Sequence, residues 1–345
     1  MRYSTGMQAI FAVTFPFFAL VLLGYLAAQR RVLPESAIPG LNMFVLFFAL
    51  PCMLFRFGAS RPFGQLIDPV LLGIYGASAL LMVMFCIALT LKRGPADPGV
   101  SLKDAAFGAL VATFPNAGFM GVPLLVGLLG DRAAGPLIGA ILVDLVVTSS
   151  LCLALAQAQP AGSPAQGTEA PVGGAQDSVF AAFLRALRGA LSNPLPWAIG
   201  LGALVAASGV VLPEPLLQII KMLADAATPV ALFTIGAVLW RAGQHAHTAT
   251  PLSRYLPLAL VKLLVHPLLV LSAGLVAQAM GLQVSRFGLM VLVLTAALPG
   301  ASNVSILAER YGADNGRIAR VIMATTVLAF GTFSMFAWAM GAGLG

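Results

Sequence analysis

Residues 114–123 read Phe114-Pro115-Asn116-Ala117-Gly118-Phe119-Met120-Gly121-Val122-Pro123. Two prolines, two glycines and an asparagine share ten positions in the middle of a run, 105–130, that has no Asp, Glu, Lys or Arg. A charge-free run of that length crosses ~30 Å of hydrocarbon as a helix. Proline removes a backbone donor and clashes with the preceding turn, while glycine lets the chain bend. The stretch therefore predicts a membrane helix broken near its midpoint. A second case, Leu298-Pro299-Gly300-Ala301-Ser302-Asn303, lies about a dozen residues into the charge-free run 287–308.

Working outward, further charge-free runs cover 3–29, 36–55, 69–91, 189–213, 263–285 and 321–345. Two more, 136–157 and 216–239, reach spanning length once Asp144, Lys221 and Asp225 are admitted to the membrane. That makes ten spans, with the broken helices as spans 4 and 9. Composition agrees: of 345 residues 59% are hydrophobic and 9% charged, against ~25% charged in a soluble domain. Mean hydropathy is +0.96. The first run follows only Arg2, with no small-residue cleavage site leading to a polar domain, and is read as a retained helix. Cys52, Cys86 and Cys152 fall within apolar runs and read as small core residues.

The 19 basic residues orient the chain. Twelve fall on one side of the ten-span plan, among them Arg30, Arg31, Arg241, Arg254, Arg317 and Arg320. Five, Arg2, Arg56, Arg61, Arg132 and Arg286, fall on the other, and Lys221 and Lys262 lie within spans. The positive-inside rule places the twelve in the cytoplasm and both termini outside. Basic residues scattered along short loops face anionic lipid and form no dense patch, which excludes nucleic acid as the partner for the net charge of +7.

Residues 159–178 are mostly Pro, Gly, Ala and Ser and predict a flexible cytoplasmic linker between five spans, 1–158, and five more, 179–345. Beyond it Phe180, Phe183, Leu184, Leu187 and Leu191 recur at helical spacing, either as an interfacial helix or as an extension of span 6. Pro51-x-x-Leu54-Phe55-x-x-Gly58-Ala59 matches Pro229-x-x-Leu232-Phe233-x-x-Gly236-Ala237 at an offset of 178, and Leu33-Pro34-Glu35 matches Leu212-Pro213-Glu214 at 179. Five spans per half is an odd number, so the second half enters the bilayer upside down. The expected fold is an all-α membrane protein of two inverted five-helix repeats.

In that plan substrate binds near the midplane where paired helices are interrupted. The half-helix N-termini offer unpaired N–H groups to an anion. Asn116, Ser302 and Asn303 add neutral donors and acceptors. Pro115, Asn116, Gly118, Gly121, Pro299, Gly300, Ser302 and Asn303 are thus the candidate substrate-binding set. Isolated prolines, Pro16, Pro257 and Pro267, read as kinks.

Ionisable residues inside a bilayer are functional candidates by default. Lys221 and Asp225, four apart, either serve coupling or neutralise one another across a turn. Lys262 and His266 have the same spacing; Lys262 either attracts an anion or, as the favoured reading, snorkels to the cytoplasmic interface two turns beyond Arg254. Asp144, followed by Thr148, Ser149 and Ser150, and Asp225 are the carboxylates available for proton coupling, with satisfied packing roles as the alternative. His245-Ala246-His247 lacks a third ligand and reads as a solvated loop rather than a metal site.

Several of these residues carry a resemblance. Gly24-Tyr25-Leu26, Leu33-Pro34, Leu41-Asn42 and Phe48-Ala49-Leu50-Pro51 resemble the start of the bacterial auxin efflux carrier (AEC) family, relatives of the plant PIN-formed carriers. Phe114-Pro115-Asn116-x-Gly118-x-x-Gly121-x-Pro123 is similar to that family's first crossover motif. Leu298-Pro299 with Asn303 and Leu307-Ala308-Glu309-Arg310-Tyr311-Gly312 is similar to the second, and Asn193-Pro194 to the usual start of span 6. The resemblance implies a carrier, usually dimeric, in which spans 1, 2, 6 and 7 form a scaffold. Spans 3–5 and 8–10 would then carry small organic anions by an elevator-like step. Two departures matter. The linker is very short, so loop phosphorylation is not carried over, and Gly300 stands where Asn116 stands in the first crossover.

Enzyme motifs are missing: there is no His-Glu-x-x-His, no Gly-x-Ser-x-Gly, and no lysine follows a glycine. The reading is a secondary carrier of a small carboxylate in the cytoplasmic membrane, without a cofactor and with a proton as one candidate coupling ion. The alternatives are a sodium-coupled acid symporter of related topology and a channel or sensory membrane domain.

Overall fold

A computed structural model describes residues 2–60, 68–91, 100–157, 194–244 and 250–342. The linker at 159–178, the amphipathic stretch through Leu191 and the His245–His247 pair lie outside the described residues. The described chain is helical throughout, with a single isolated β-bridge. Its helices are α1 (Arg2–Gln29), α2 (Ala37–Ala59), α3 (Pro69–Leu91), α4 (Leu102–Thr113), α5 (Ala117–Leu129) and α6 (Asp131–Gln157). After the linker come α7 (Pro194–Ser208), α8 (Glu214–Gln244), α9 (Leu252–Ala279), α10 (Arg286–Ala296), α11 (Asn303–Arg310) and α12 (Asn315–Ala339). Seven of them, α1, α2, α3, α6, α8, α9 and α12, are long and apolar enough to cross a bilayer. Their outer faces carry large exposed apolar side chains such as Phe15, Leu22, Met84 and Phe85, as suits helices that face lipid.

Wide, π-type turns interrupt three long helices, at Val45–Ala49 in α2, Asp144–Thr148 in α6 and Val261–Val265 in α9, and a fourth, Ala117–Gly121, opens the short α5. Three have a proline two residues past their end, Pro51, Pro123 and Pro267. The proline ring clashes with the carbonyl four residues back, and widening the turn relieves that clash while the helix continues. Pro267 therefore marks more than a kink.

Helix α9 corrects a boundary. The charge-free run predicted a span over 263–285, but α9 begins at Leu252, and Lys262 is fully buried in its middle rather than snorkelling to an interface. A charge ends a span only when nothing inside satisfies it, and Lys262 is satisfied, as described below. Helix α12 likewise starts at Asn315, ahead of the predicted 321. The Nε of Arg317 donates to Arg254 O (3.0 Å) and Nη1 of Arg320 donates to Thr250 O (3.2 Å).

Helix α1 packs along α8, and α2 along both α7 and α8. At two crossings the backbones touch through glycine. A Cβ on Gly24 would collide with Phe233 O, and one on Gly236 with Val21 O and Tyr25 N. A Cβ on Gly202 would collide with Phe55 O, and one on Gly58 with Ile199 O and Ala203 N. Each partner in the first crossing has its counterpart in the second at an offset of 178: 24 to 202, 55 to 233, 58 to 236, 21 to 199 and 25 to 203. Close approach of this kind suits membrane helices, which associate by packing and not by escape from water. The other helices form a second group, in which α3 packs on α4 and α9, α4 on α6, and α9 on α10 and α12. The short helices α4 and α10 lie deepest: every residue from Ala105 to Thr113 and from Val291 to Ala296 is buried.

Candidate functional site

Both short buried helices stop inside the protein. The hydroxyl of Ser101 caps α4 by accepting from Asp104 N (3.1 Å), and that of Ser285 caps α10 by accepting from Gly288 N (3.2 Å). Helix α4 ends at Phe114, whose backbone is extended ahead of Pro115, the conformation a residue before proline is driven to. The two breaks then meet. Pro115 and Gly300 form an antiparallel bridge in which Asn116 N donates to Pro299 O (2.8 Å) and Ala301 N donates to Phe114 O (3.0 Å). Donors and acceptors released by one break are thereby satisfied by the other, which is how irregular backbone persists at membrane depth.

The side-chain asymmetry at the crossing has a steric cause. A Cβ on Gly300 would stand 2.7 Å from Val111 O and 3.0 Å from Val111 Cγ2, so no side chain fits there. Gly300 N instead donates to Thr325 Oγ1 on α12 (3.2 Å). Asn116, on the open side of the bridge, keeps its side chain.

A small cavity of about 40 Å³ opens beside the crossing. Pro115, Asn116, Gly118, Asp144 and Asn303 line it, and Leu46 of α2 and Leu195 of α7 close it from the other helix group. Asn303 Oδ1 is buried with no hydrogen-bond partner among the described residues. Of the eight residues singled out in the sequence, Pro115, Asn116, Gly118 and Asn303 line this cavity; Gly121, Pro299, Gly300 and Ser302 do not. Pro299 and Gly300 build the bridge itself, and Gly121 makes room for Leu298, whose Cδ1 would lie 2.6 Å from an added Cβ.

Two charged groups converge on the crossing from the wide turns. Lys262 Nζ donates to Thr113 O (3.3 Å) and to Ala296 O (3.1 Å) and lies at hydrogen-bond distance from His266 Nδ1 (3.0 Å). Thr113 and Ala296 are the last residues of α4 and α10, so a single ammonium sits at the negative end of both helix dipoles. Asp144 is buried and accepts from Tyr75 OH at Oδ2 (2.8 Å) and from Thr148 Oγ1 at Oδ1 (3.0 Å). The Tyr75 ring packs against His266, with centroids 5.9 Å apart. Sequence reasoning missed Tyr75, Thr325 and Leu195. Tyr75 carried one faint signal, a phenol two turns into a mostly apolar span.

Lys221 and Asp225 lie elsewhere. Lys221 Nζ bonds Asp225 Oδ2 (2.9 Å), and Arg56 Nη1 bonds Asp225 Oδ1 (3.2 Å), a half-exposed ion triad. Arg56 and Asp225 line a broader, open cavity of about 740 Å³ between the ends of α2, α7 and α8, which shares no lining residue with the crossing. The turn-neutralising reading of this pair thus gains a third partner, and neither residue reaches the crossing.

The sequence pattern of a family described as "Membrane transport protein" (Mem_trans) matches residues 9–337. The chain is 28% identical over 333 residues to a protein of Rhizobium meliloti (strain 1021) named "Putative malonate transporter", covering 94% of each. It is 27% identical over 324 residues to "Uncharacterized transporter YfdV" of Escherichia coli (strain K12), covering 91% of this chain and 92% of that one. It is also 23% identical over 336 residues to "Auxin efflux carrier component 8" of Arabidopsis thaliana, covering 88% and 89%.

Proposed function

The chain belongs to this membrane transport protein family, that of the auxin efflux carriers, and from that premise we propose that it is a secondary carrier of a small organic carboxylate. One observation carries the proposal: two interrupted helices meet through their backbones, and both of their asparagines, Asn116 and Asn303, face one buried cavity. Neutral amide groups and helix N-termini bind a carboxylate directly through N–H donors. The "malonate" in one relative's name agrees with an organic anion as cargo.

The architecture in this proposal is ten membrane passages in two inverted halves, 1–158 and 179–345, joined by the linker at 159–178. The 178-residue offset shared by the glycine crossings supports it. So does the exchange at the bridge, where Pro115 faces Gly300 and Asn116 faces Pro299. Helices α1, α2, α7 and α8 are the scaffold, locked by backbone contact, and the remaining helices move past them. A cavity of about 40 Å³ holds roughly one water, whose share of liquid is ~30 Å³. A carboxylate needs more room, and a shift of the moving group away from Leu46 and Leu195 supplies it. Both termini are placed outside the cytoplasmic membrane. In support, Arg241 pairs with Glu35 (3.4 Å), Arg317 bonds Arg254 O, and Asp314 N bonds Asp104 Oδ1 (2.8 Å), which joins segments all assigned to the cytoplasmic side. Assembly as a homodimer and coupling to protons complete the proposal.

Purified protein in proteoliposomes, offered a panel of mono- and dicarboxylates, tests it. Saturable flux of at least one carboxylate is expected, with loss of that flux in Asn116→Leu and Asn303→Leu. Absence of saturable carboxylate flux with the wild-type protein, whatever the imposed gradient, overturns the assignment.

A further inference from the structure

The charge balance around the crossing goes further. Lys262 Nζ has three acceptors, Thr113 O, Ala296 O and His266 Nδ1, matching the three N–H bonds of an ammonium. With Lys262 as an ammonium, His266 accepts at Nδ1 and is neutral, its proton on Nε2, which has no hydrogen-bond partner among the described residues. Each oxygen of Asp144 has a hydroxyl partner, Tyr75 at Oδ2 and Thr148 at Oδ1, and as a carboxylate it accepts from both. It is near enough to Lys262 for each to act on the other's charge. Around them among the described residues are Tyr75 and Cys86 on α3 and Cys152 on α6, buried as neutral hydroxyl and thiols, and the buried Arg317 guanidinium of α12, which acts on Cys86 and donates to Arg254 O. Among the described residues, Asp144 is the one ionisable residue lining the cavity. Lys262 as ammonium and Asp144 as carboxylate, the two ionisable groups that meet at the crossing, thus cancel one another in the empty site.

A guest carboxylate changes that sum to minus one and sets two carboxylates around one small, buried space. Burying an uncompensated charge is prohibitive, and two close carboxylates do not both stay ionised. A proton on Asp144 restores the balance. Its hydrogen bonds survive, because the hydroxyls of Tyr75 and Thr148 can each turn from donor to acceptor.

We propose that Asp144 takes up one proton for each carboxylate monoanion bound, with Lys262 as the fixed countercharge, so that the loaded and the empty carrier both cross the membrane electrically neutral. The inference rests on the carboxylate-carrier reading. In the step, an O–H bond forms at a carboxylate oxygen of Asp144 as the anion enters from one side; that bond breaks, and proton and anion leave together, on the other. A dicarboxylate travels as its hydrogen-dicarboxylate, which makes two protons per dianion.

The test is flux in proteoliposomes with pH and membrane potential set independently, the potential by valinomycin and a potassium gradient, and with a pH dye outside. A monocarboxylate below saturation is expected to enter about tenfold faster per unit of external acidification while Asp144 is ionised, as one bound proton requires. For a dicarboxylate dianion the dependence steepens to about a hundredfold. The external medium turns alkaline on substrate addition, and the potential leaves the rate unchanged. In Asp144→Asn the empty carrier keeps the Lys262 charge, so net uptake becomes driven by an interior-positive potential, and whatever exchange remains loses its pH dependence. Wild-type flux that is saturable yet driven by potential and indifferent to pH overturns the inference and leaves the carrier reading intact. So does an Asp144→Asn protein with wild-type pH dependence. If that variant does not transport, the wild-type pH and potential measurements decide alone. Absence of any saturable carboxylate flux sinks the carrier reading itself.

Discussion

Replacing Gly24, Gly58, Gly202 or Gly236 by alanine adds one methyl group, yet in each case that methyl lands on backbone of the facing helix, which cannot rotate away. Overpacking of this kind costs about 1–3 kcal/mol when side chains absorb it, and backbone is stiffer. Against it stands the better helix propensity of alanine, ~1 kcal/mol over glycine. Gly73 and Gly331 provide the reference, since an added Cβ meets nothing within 4 Å at either position and alanine there gains only the propensity. The expected gap between a crossing glycine and a reference glycine is therefore roughly 2–4 kcal/mol. Because Gly24 and Gly202, and likewise Gly58 and Gly236, meet corresponding atoms, members of each pair should lose stability by similar amounts. Gly24→Ala and Gly236→Ala share one crossing: once the helices have moved apart for the first methyl, the second costs less, and the double variant is less than additive. Gly24→Ala with Gly58→Ala, in separate crossings, should add within ~0.5 kcal/mol. Thermal or denaturant unfolding of purified protein in one detergent measures all of these. Gly24→Ala unfolding together with Gly73→Ala would refute the claim that backbone contact locks the scaffold.

Three further outcomes follow from the crossing. Gly300→Ala should impair both folding and transport, since its methyl must displace Val111 O and loosen the bridge to Pro115; flux per folded molecule, assayed beside unfolding, reads this directly. Lys262→Met leaves Thr113 O, Ala296 O and His266 Nδ1 without a donor and Asp144 without its countercharge, a loss on the order of 3–5 kcal/mol. Adding Asp144→Asn to Lys262→Met should recover part of that loss, which an unfolding series on the two singles and the double will show. Asp225→Asn should leave the pH dependence of flux as in wild type, because the Lys221–Asp225–Arg56 triad is half exposed and away from the crossing; a shift in that profile would restore Asp225 as a coupling residue.

The membrane class, the positions of the two breaks and the 178-residue echo between Pro51–Ala59 and Pro229–Ala237 were legible in the amino-acid order, because each depends on properties local to a few residues. Charge-free length sets whether a segment can span, and proline and glycine dictate where it cannot stay helical. That the breaks hydrogen-bond to one another, that Gly300 rather than a second asparagine belongs opposite Pro115, and that Gly24 pairs with Gly236 depend on which helices lie side by side. Lys262 shows the difference most plainly. In sequence it is a cation near a predicted boundary, two turns from Arg254, and snorkelling is the economical reading. In the folded chain its three acceptors come from residues 113, 266 and 296, on three helices. Helix spacing already sets His266 one turn from Lys262, but tertiary packing alone brings the Thr113 and Ala296 carbonyls within reach of that ammonium, and so decides that a charge stays in the protein's interior.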